Sequence, residues 1–376
     1  MINNKTEYQP GTDYRFKLMY ALGMIIIVSG HCESGGISLL YEWFPINAFE
    51  LGLFAFCSGY FYKPSAEAAP GKYIAKKAKR LLIPLYAWNL VYGLIVLLLG
   101  FFGFTIGEEF SLYNLLIAPI TDGHQFAYNL CSWFVVPLFL IECINVLLRK
   151  LAAFLCGSIK EHVFFFFYLL LGIAGVKLAM GGRNTGAWLV ATRVMYLIAF
   201  YGLGIYYKSI LEPKDTLPSR FYFLIIFALE AVIIFIYKKA PGYVPSWSLY
   251  ADDPFIPFIA GFIAIAFWLR ACRILSPVVG ESKWVNAIAD NTYAIMLHQF
   301  AGFMLVKAGF AFLNRFTPLC SDFSMELFKS DLWYFYVPGD LSRLKIIYLA
   351  AGIIVPIIIQ KVCEMENKKV NPGISI

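Results

Sequence analysis

A histidine closes a strongly apolar segment, and it is the side chain in this sequence best suited to chemistry. Residues 18–30 carry no charge, and His31 follows them directly. An ionisable group at membrane depth is costly and is therefore a candidate for function. Imidazole also gains and loses a proton near neutral pH, which suits a general base acting on a hydroxyl or an amine. The alternative is a histidine that satisfies a backbone carbonyl at a helix end or meets lipid headgroups.

A second group of candidates is the basic cluster at residues 76–80, with the sequence KKAKR. If these residues are helical, three- and four-residue spacing places Lys76, Lys77 and Arg80 on one face. Such a cationic stripe suits a ligand that carries phosphate groups. The alternative is that these residues mark the cytoplasmic end of a membrane span and contact anionic lipid headgroups.

Further polar and aromatic residues lie within apolar segments and are candidates for the lining of a cavity. Ionisable side chains at membrane depth are expected to face protein or water. A simple ion pair between Glu142 and Arg193 is the alternative for those two residues, and a hydrogen bond to a neighbouring helix is the alternative for His298. The candidates are Glu50, Ser58, Trp133, Glu142, Arg193, Tyr293 and His298.

Other kinds of site have no support in the sequence. The eight cysteines show no paired spacing, which argues against a zinc site or a disulfide framework, and no metal is expected. Cys32, beside His31, is interpreted as a small apolar filler, because adjacent helical residues point about 100° apart. No glycine-rich phosphate loop and no nucleophile elbow is present.

The composition indicates the class of protein that must position these residues. Hydrophobic residues make up 60% of the 376 and charged residues 15%, and the mean hydropathy is +0.68. These values exceed what a soluble core holds, so we expect a polytopic membrane protein. Apolar runs of about 20 residues match helices that cross about 30 Å of hydrocarbon, rather than the alternating strands of a β-barrel. The predicted fold is all-α.

Ten candidate spans are expected, in a single transmembrane domain of residues 1–376 with short tails at residues 1–17 and 363–376. The spans are residues 18–32, 46–62, 81–104, 130–148, 163–180, 188–207, 221–237, 254–272, 286–310 and 344–362.

The distribution of Lys and Arg predicts the orientation. With the N-terminus in the cytoplasm, most of the 31 Lys and Arg residues fall in cytoplasmic segments, as the positive-inside rule requires. Both termini are then cytoplasmic, His31 lies at the outer end of the first span, and the basic cluster lies at the inner end of the third. The net charge of +7 follows from this topology, so no nucleic-acid partner is expected.

The order of several short motifs resembles the membrane-bound acyltransferase-3 family. Gly30 and His31 end the first span, and Arg80 lies in the motif that leads into the third. The remaining matches are less specific one by one, but their order extends from the first span to the ninth. The motifs are FAFCSGYF at 54–61, YIAKKAKRLLIP at 73–84, SWFVVPLF at 132–139 and DNTYAIMLHQ at 290–299.

This resemblance implies a fold of ten helices and a transfer of an acyl group, commonly acetyl. The donor would be cytoplasmic acyl-CoA, a co-substrate with no tightly bound cofactor beside it. The acceptor would be a carbohydrate, glycolipid or related molecule of the cell envelope, handled at the outer side of a bacterial cytoplasmic membrane. The lipid bilayer is the remaining partner.

The resemblance also implies roles for individual residues. His31 matches the family histidine proposed to act in catalysis, and Arg80 matches the second arginine of a motif implicated in acyl-CoA engagement. Lys77 stands at the first arginine of that motif, which keeps the charge but loses bidentate phosphate geometry. In the ninth span Gln299 stands where the family has a histidine, and His298 lies one position earlier, about 100° around a helix.

On these expectations His31 accepts the proton of the acceptor hydroxyl while its oxygen attacks the thioester; an acyl-histidine intermediate is the other route. A secondary transporter of a polar or anionic small molecule is the competing class, since transporters also have about ten spans with buried charges. A membrane scaffold or sensor is the third.

Overall fold

The computed structural model describes residues 12–32, 49–238, 243–251 and 253–370. Most of this part of the chain is helical, and short 3₁₀ segments join several of the helices. One antiparallel pair is present, between β1 (Tyr243–Val244) and β2 (Leu249–Tyr250). The all-α fold class is therefore confirmed. The α-helices are α1 (Tyr14–Gly30), α2 (Glu50–Tyr60), α3 (Pro70–Phe101), α4 (Leu112–Leu116), α5 (Ala118–Thr121), α6 (Val135–Cys156), α7 (Glu161–Met180), α8 (Gly186–Tyr206), α9 (Ser219–Tyr237), α10 (Ile256–Val279), α11 (Lys283–Asp290), α12 (Thr292–Phe316), α13 (Met325–Ser330) and α14 (Ile346–Val370).

Eight helical segments in the described ranges are long and apolar enough to cross a membrane. They correspond to the third through tenth predicted spans, so the polytopic membrane class is confirmed. The helices at the first two predicted spans, α1 and α2, have 17 and 11 residues, or about 26 and 17 Å at about 1.5 Å per residue. Residues 46–48 of the second predicted span lie outside the described residues, and the count of ten stays a prediction.

Two helix boundaries differ from the sequence prediction in ways that affect the site. Helix α3 begins at Pro70, well before residue 81, with proline in the first turn where its missing N–H costs nothing. The basic cluster is therefore helical. The ninth predicted span is divided in two, because Asn291 has non-helical backbone angles between α11 and α12. Its side-chain amide donates to the Ala287 carbonyl at 2.8 Å and satisfies one of the last acceptors of α11.

One end of the bundle is held together by ion pairs between segments that the positive-inside rule assigned to the same side. Arg15, in the first turn of α1, binds the Glu212 carboxylate at 2.6 Å. The Tyr60 hydroxyl, at the end of α2, donates to the same carboxylate at 2.7 Å. Lys17 pairs with Asp290 at the end of α11. These helix ends lie together, as an alternating bundle requires, while the side of the membrane they face stays a prediction.

Glycines allow α2 and α8 to pack with their backbones in contact. A Cβ on Gly59 would lie 1.9 Å from the Tyr201 carbonyl oxygen, and one on Gly204 would lie 2.0 Å from the Phe56 carbonyl oxygen. Small residues bring membrane helices close in this way, because lipid tails offer no hydrophobic force that favours association. This contact fixes α2 against the buried helix α8, and α2 carries one wall of the site.

We expect Gly59→Ala to destabilise the protein strongly, because the added methyl meets backbone that cannot rotate away. Overpacking in a core costs about 1–3 kcal/mol, and the upper end applies here. Thermal unfolding of the purified protein in detergent measures the effect. Gly100→Ala is the matched control, since nothing lies within 4 Å of the position its Cβ would take. Equal midpoints for the two variants would contradict the packing argument.

Candidate active site

A cavity of about 1070 Å³ lies between α1, α2, α3, α6 and α12. It collects most of the residues selected from the sequence, although they are spread over more than 200 positions. His31, Glu50 and Arg193 are not part of its lining. The sequence-predicted residues that line it are Ser58, Lys76, Lys77, Arg80, Trp133, Glu142, Tyr293 and His298.

The charge on the cavity wall is predominantly positive. Two acidic residues line it, Glu142 and Asp290, and each is paired with a lysine. The sequence analysis identified three of the basic residues and missed the others, which it had counted only as topological charges. Clustered charge of one sign at the wall of a cleft concentrates ligands of the opposite sign. The basic lining residues are Lys63, Lys72, Lys76, Lys77 and Arg80.

Lys77 and Glu142 form an ion pair inside this cavity. The Lys77 Nζ lies 2.7 Å from Glu142 Oε1, and the Ser58 hydroxyl donates to the same oxygen at 2.7 Å. The Glu142 side chain is 2% exposed, so its charge needs these partners. The three residues come from α2, α3 and α6. Lys77 therefore joins helices, while Lys76 and Arg80 are exposed and have no carboxylate partner in the described ranges.

His31 follows α1 directly, and its ring is fixed by Gln299 of α12. The distance from His31 Nδ1 to Gln299 Oε1 is 2.9 Å. An amide oxygen can only accept, so Nδ1 carries the proton and Nε2 keeps its lone pair. The Gln299 amide nitrogen lies 3.4 Å from the Met296 carbonyl, which agrees with this orientation of the amide. The aromatic rings of Phe300 and Trp333 lie against the imidazole at centroid distances of 5.6 and 6.3 Å.

Two residues that the sequence analysis did not select lie against His31. One is Gln299, fully buried, for which the signal was its alignment with a family histidine. The other is Cys131, whose sulfur lies 3.7 Å from His31 Nδ1 and which also lines the cavity. No sequence signal connected Cys131 with His31, because they are 100 positions apart.

His298 faces the cavity but is not directed at His31. Its Nδ1 lies 2.8 Å from the Tyr92 hydroxyl, and the Trp88 ring packs against it at 4.2 Å. This arrangement agrees with the rotation of about 100° expected between adjacent helical residues. The neighbouring Tyr293 hydroxyl donates to the Leu81 carbonyl at 2.7 Å and ties α12 to α3.

The alternative pairing of Glu142 with Arg193 is wrong. Arg193 donates to the Ser246 carbonyl at 2.9 Å and to the Asp122 carbonyl at 2.5 Å, and its guanidinium stacks over Trp133 at 4.5 Å. Backbone carbonyls of two loops therefore satisfy the Arg193 charge, and neither the expected cavity nor the alternative carboxylate contacts it. Arg193 fixes these loops over the end of the bundle behind the cavity wall.

Glu50 is also outside the cavity. Its carboxylate accepts the backbone N–H of Phe49 at 3.2 Å, at the start of α2. A carboxylate in the first turn of a helix is favoured by the unpaired N–H groups there. This position gives Glu50 a structural explanation that needs no ligand.

A family model described as an acyltransferase domain, Acyl_transf_3, matches residues 13–359. The chain belongs to the acyltransferase-3 family. No curated protein and no solved structure matches it significantly. Membership covers nearly the whole chain and identifies it as a multi-pass membrane acyltransferase.

The Lys77–Glu142 pair predicts an asymmetric response to substitution in this acyltransferase. Lys77→Met leaves the buried Glu142 charge with only the Ser58 hydroxyl, and removing one partner of a buried pair costs about 3–5 kcal/mol. A second substitution, Glu142→Gln, removes that charge and should restore most of the thermal stability. Lys76→Met is the control and should not change the unfolding midpoint. A double variant as unstable as Lys77→Met alone would contradict the assignment.

The loop histidine beside Arg193 predicts acid sensitivity. Burial, with a smaller contribution from the Arg193 guanidinium, lowers the pKa of His124 from 6.5 to about 3. Below pH 6.5 the unfolded chain binds a proton that the folded protein excludes, so stability falls as the pH drops toward 3. His124→Gln should lose less stability between about pH 7.5 and about pH 5.5, measured by thermal unfolding. His162→Gln, at an exposed histidine of α7, should behave like the unmodified protein.

Proposed function

We propose that this acyltransferase moves an acetyl group from cytoplasmic acetyl-CoA to a hydroxyl of a carbohydrate or related cell-envelope acceptor. The observation that carries the proposal is the continuity of one cavity. It is lined by basic side chains of α3 and by Ile27 and Cys131. The Cys131 sulfur lies 3.7 Å from Nδ1 of His31, which is not itself a lining residue. A donor with a phosphorylated end and a reactive thioester end needs this combination.

The donor phosphates would bind at the basic end of the cavity. Lys76 and Arg80 are exposed on one face of α3, and Lys63 and Lys72 lie on the same wall. Arginine supports bidentate contacts with phosphate oxygens, while lysine contributes a point charge. Lys77 acts through Glu142 as much as through the ligand, because their ion pair aligns α3 with α6. This division of roles agrees with lysine at a position where the family has arginine.

His31 would act as the base. Gln299 holds the proton on Nδ1, which leaves Nε2 to accept a proton from the attacking group. The attacking atom forms a bond to the thioester carbonyl carbon, the carbon–sulfur bond breaks, and the CoA sulfur leaves as a thiol after it receives the proton. Holding both reactants in one cavity lowers the entropic cost of their encounter.

The side of the membrane follows from the charges. CoA phosphates cannot enter hydrocarbon, so the donor stays in the cytoplasm and only its thin arm extends into the bundle. A bacterial cytoplasmic membrane provides this donor on one face and envelope acceptors on the other. The acceptor would approach from the end of the bundle where Trp333 packs against His31.

The test is acetyl transfer by membranes that contain the protein. Membranes given radiolabelled acetyl-CoA should pass label to the carbohydrate and glycolipid fraction of the envelope. His31→Gln should lower the rate at least about a hundredfold, the usual contribution of a general base. Gln299→Leu should lower it less and should change its pH dependence, because the ring loses its fixed tautomer.

Variants are compared at equal amounts of folded protein, and His162→Gln serves as the control histidine. Transfer by His31→Gln at the unmodified rate would remove His31 from the mechanism. Accumulation of a labelled solute across the membrane without covalent change would instead support the transporter alternative.

A further inference from the structure

A thiol that lines the cavity, that of Cys131, lies beside the imidazole of His31. The Cys131 sulfur is 3.7 Å from Nδ1 and 3.9 Å from Nε2 of His31. It is the one cysteine on the cavity wall within the described residues. Gln299 Oε1 lies 2.9 Å from His31 Nδ1, so the imidazole contacts both an amide and a thiol, and the sulfur is within 4 Å of both ring nitrogens. A thiol, an imidazole and an amide can serve as nucleophile, base and orienting group.

The backbone that carries Cys131 is irregular. The residue lies in a 3₁₀ segment, Ala127–Phe134, where Asn129 has φ −123° and ψ 32°, outside the helical range. This segment precedes α6 and packs against α12, the helix of Gln299. The turn brings a thiol from one segment to an imidazole at the end of another. By contrast, Cys32 adjoins His31 in sequence, but its thiol donates to the Val28 carbonyl at 3.1 Å.

We infer that Cys131 is the nucleophile that carries the acyl group between the two substrates, as an enzyme thioester. This inference rests on the proposed acetyl-CoA-dependent function and adds a covalent step to it. In the first half-reaction the Cys131 thiol gives its proton to His31 Nε2, and the sulfur attacks the thioester carbonyl carbon. The bond from that carbon to the CoA sulfur breaks, and the CoA sulfur leaves with the proton from His31.

In the second half-reaction the acceptor hydroxyl gives its proton to His31, and its oxygen attacks the acyl-Cys131 carbonyl carbon. The carbon–sulfur bond breaks, and the Cys131 sulfur recovers the proton. No oxidant or further reactant is needed. Exchange of one thioester for another conserves the energy of the donor bond, so the final transfer to oxygen stays favourable.

The positions of the two substrates suggest why a covalent step would help the reaction. The donor approaches from the basic end of the cavity, and the acceptor would approach from the opposite end, near Trp333. An acyl-enzyme lets CoA depart before the acceptor binds, so the two substrates need not be bound at the same time. The separation of 3.9 Å exceeds the about 2.6–3.2 Å of a formed contact between nucleophile and base, and such contacts are looser before substrate binds.

The experiment uses the full-length protein in lipid nanodiscs with radiolabelled acetyl-CoA and no acceptor. The unmodified protein should transfer the labelled acetyl group from acetyl-CoA to unlabelled CoA that is added to the mixture. After an acid quench, peptide mass mapping should find acetyl on Cys131, removable by neutral hydroxylamine as a thioester is. Cys131→Ala should lose the label and the exchange, and should lower envelope acetylation about a hundredfold or more.

Matched variants separate chemistry from folding. Cys156→Ala, at an exposed cysteine at the end of α6, should keep exchange and label. His31→Gln should slow alkylation of Cys131 by iodoacetamide, an effect that a purely structural thiol would not show.

The inference is overturned if Cys131→Ala exchanges acetyl between CoA molecules at the unmodified rate, if the label maps to His31, or if the unmodified protein shows no exchange while it still acetylates envelope carbohydrate. The last result leaves the proposed function intact and assigns direct transfer. Absence of any transfer from acetyl-CoA overturns the function and the inference together.

Discussion

Every polar side chain at membrane depth in this protein needs a partner from the protein itself, because hydrocarbon supplies none. This constraint explains several long-range contacts that join helices and loops. Glu142 meets Lys77 and Ser58 from two other helices, and Arg193 meets carbonyls from two loops. Gln299 meets His31. Each pairing fixes the relative position of segments that apolar packing alone would leave free to rotate or slide.

The constraint also determines how the site is constructed. A buried imidazole without a hydrogen-bond partner would be unfavourable at this depth. The neutral amide of Gln299 satisfies one ring nitrogen and leaves the other available. Most of the basic residues that line the cavity differ from His31 in their access to solvent. Lys63, Lys72, Lys76 and Arg80 are exposed, so they need no protein partner and remain able to contact anions. The cavity wall therefore carries exposed cations as well as the buried, paired carboxylate of Glu142.

Individual residues show which parts of the site could be predicted from the sequence. The position of Arg80 on a helical face was predictable, since spacing within one helix is a local property. Trp133 was expected to line a cavity and the basic cluster to bind acyl-CoA, whereas their presence on the wall of one cavity is known only from the tertiary structure. Glu142 lines the cavity as expected, but its alternative pairing with Arg193 was wrong, because the cation that meets it is Lys77, which the sequence suggested only as a ligand for acyl-CoA. Cys131 gave no signal, since its role depends on an irregular turn.

The sequence by itself determined the properties that accumulate along one segment: the all-α membrane class from apolar runs, the alternation of helix ends from basic loops, and the candidate base from one costly histidine. The tertiary structure alone decided which side chains meet. Ion pairs, the tautomer of His31 and the thiol beside it depend on the rotation and depth of each helix relative to the others. Those variables are set by the buried polar pairs together with close packing such as the glycine contact of α2 with α8. Both involve interactions between residues far apart in the sequence and have no local pattern.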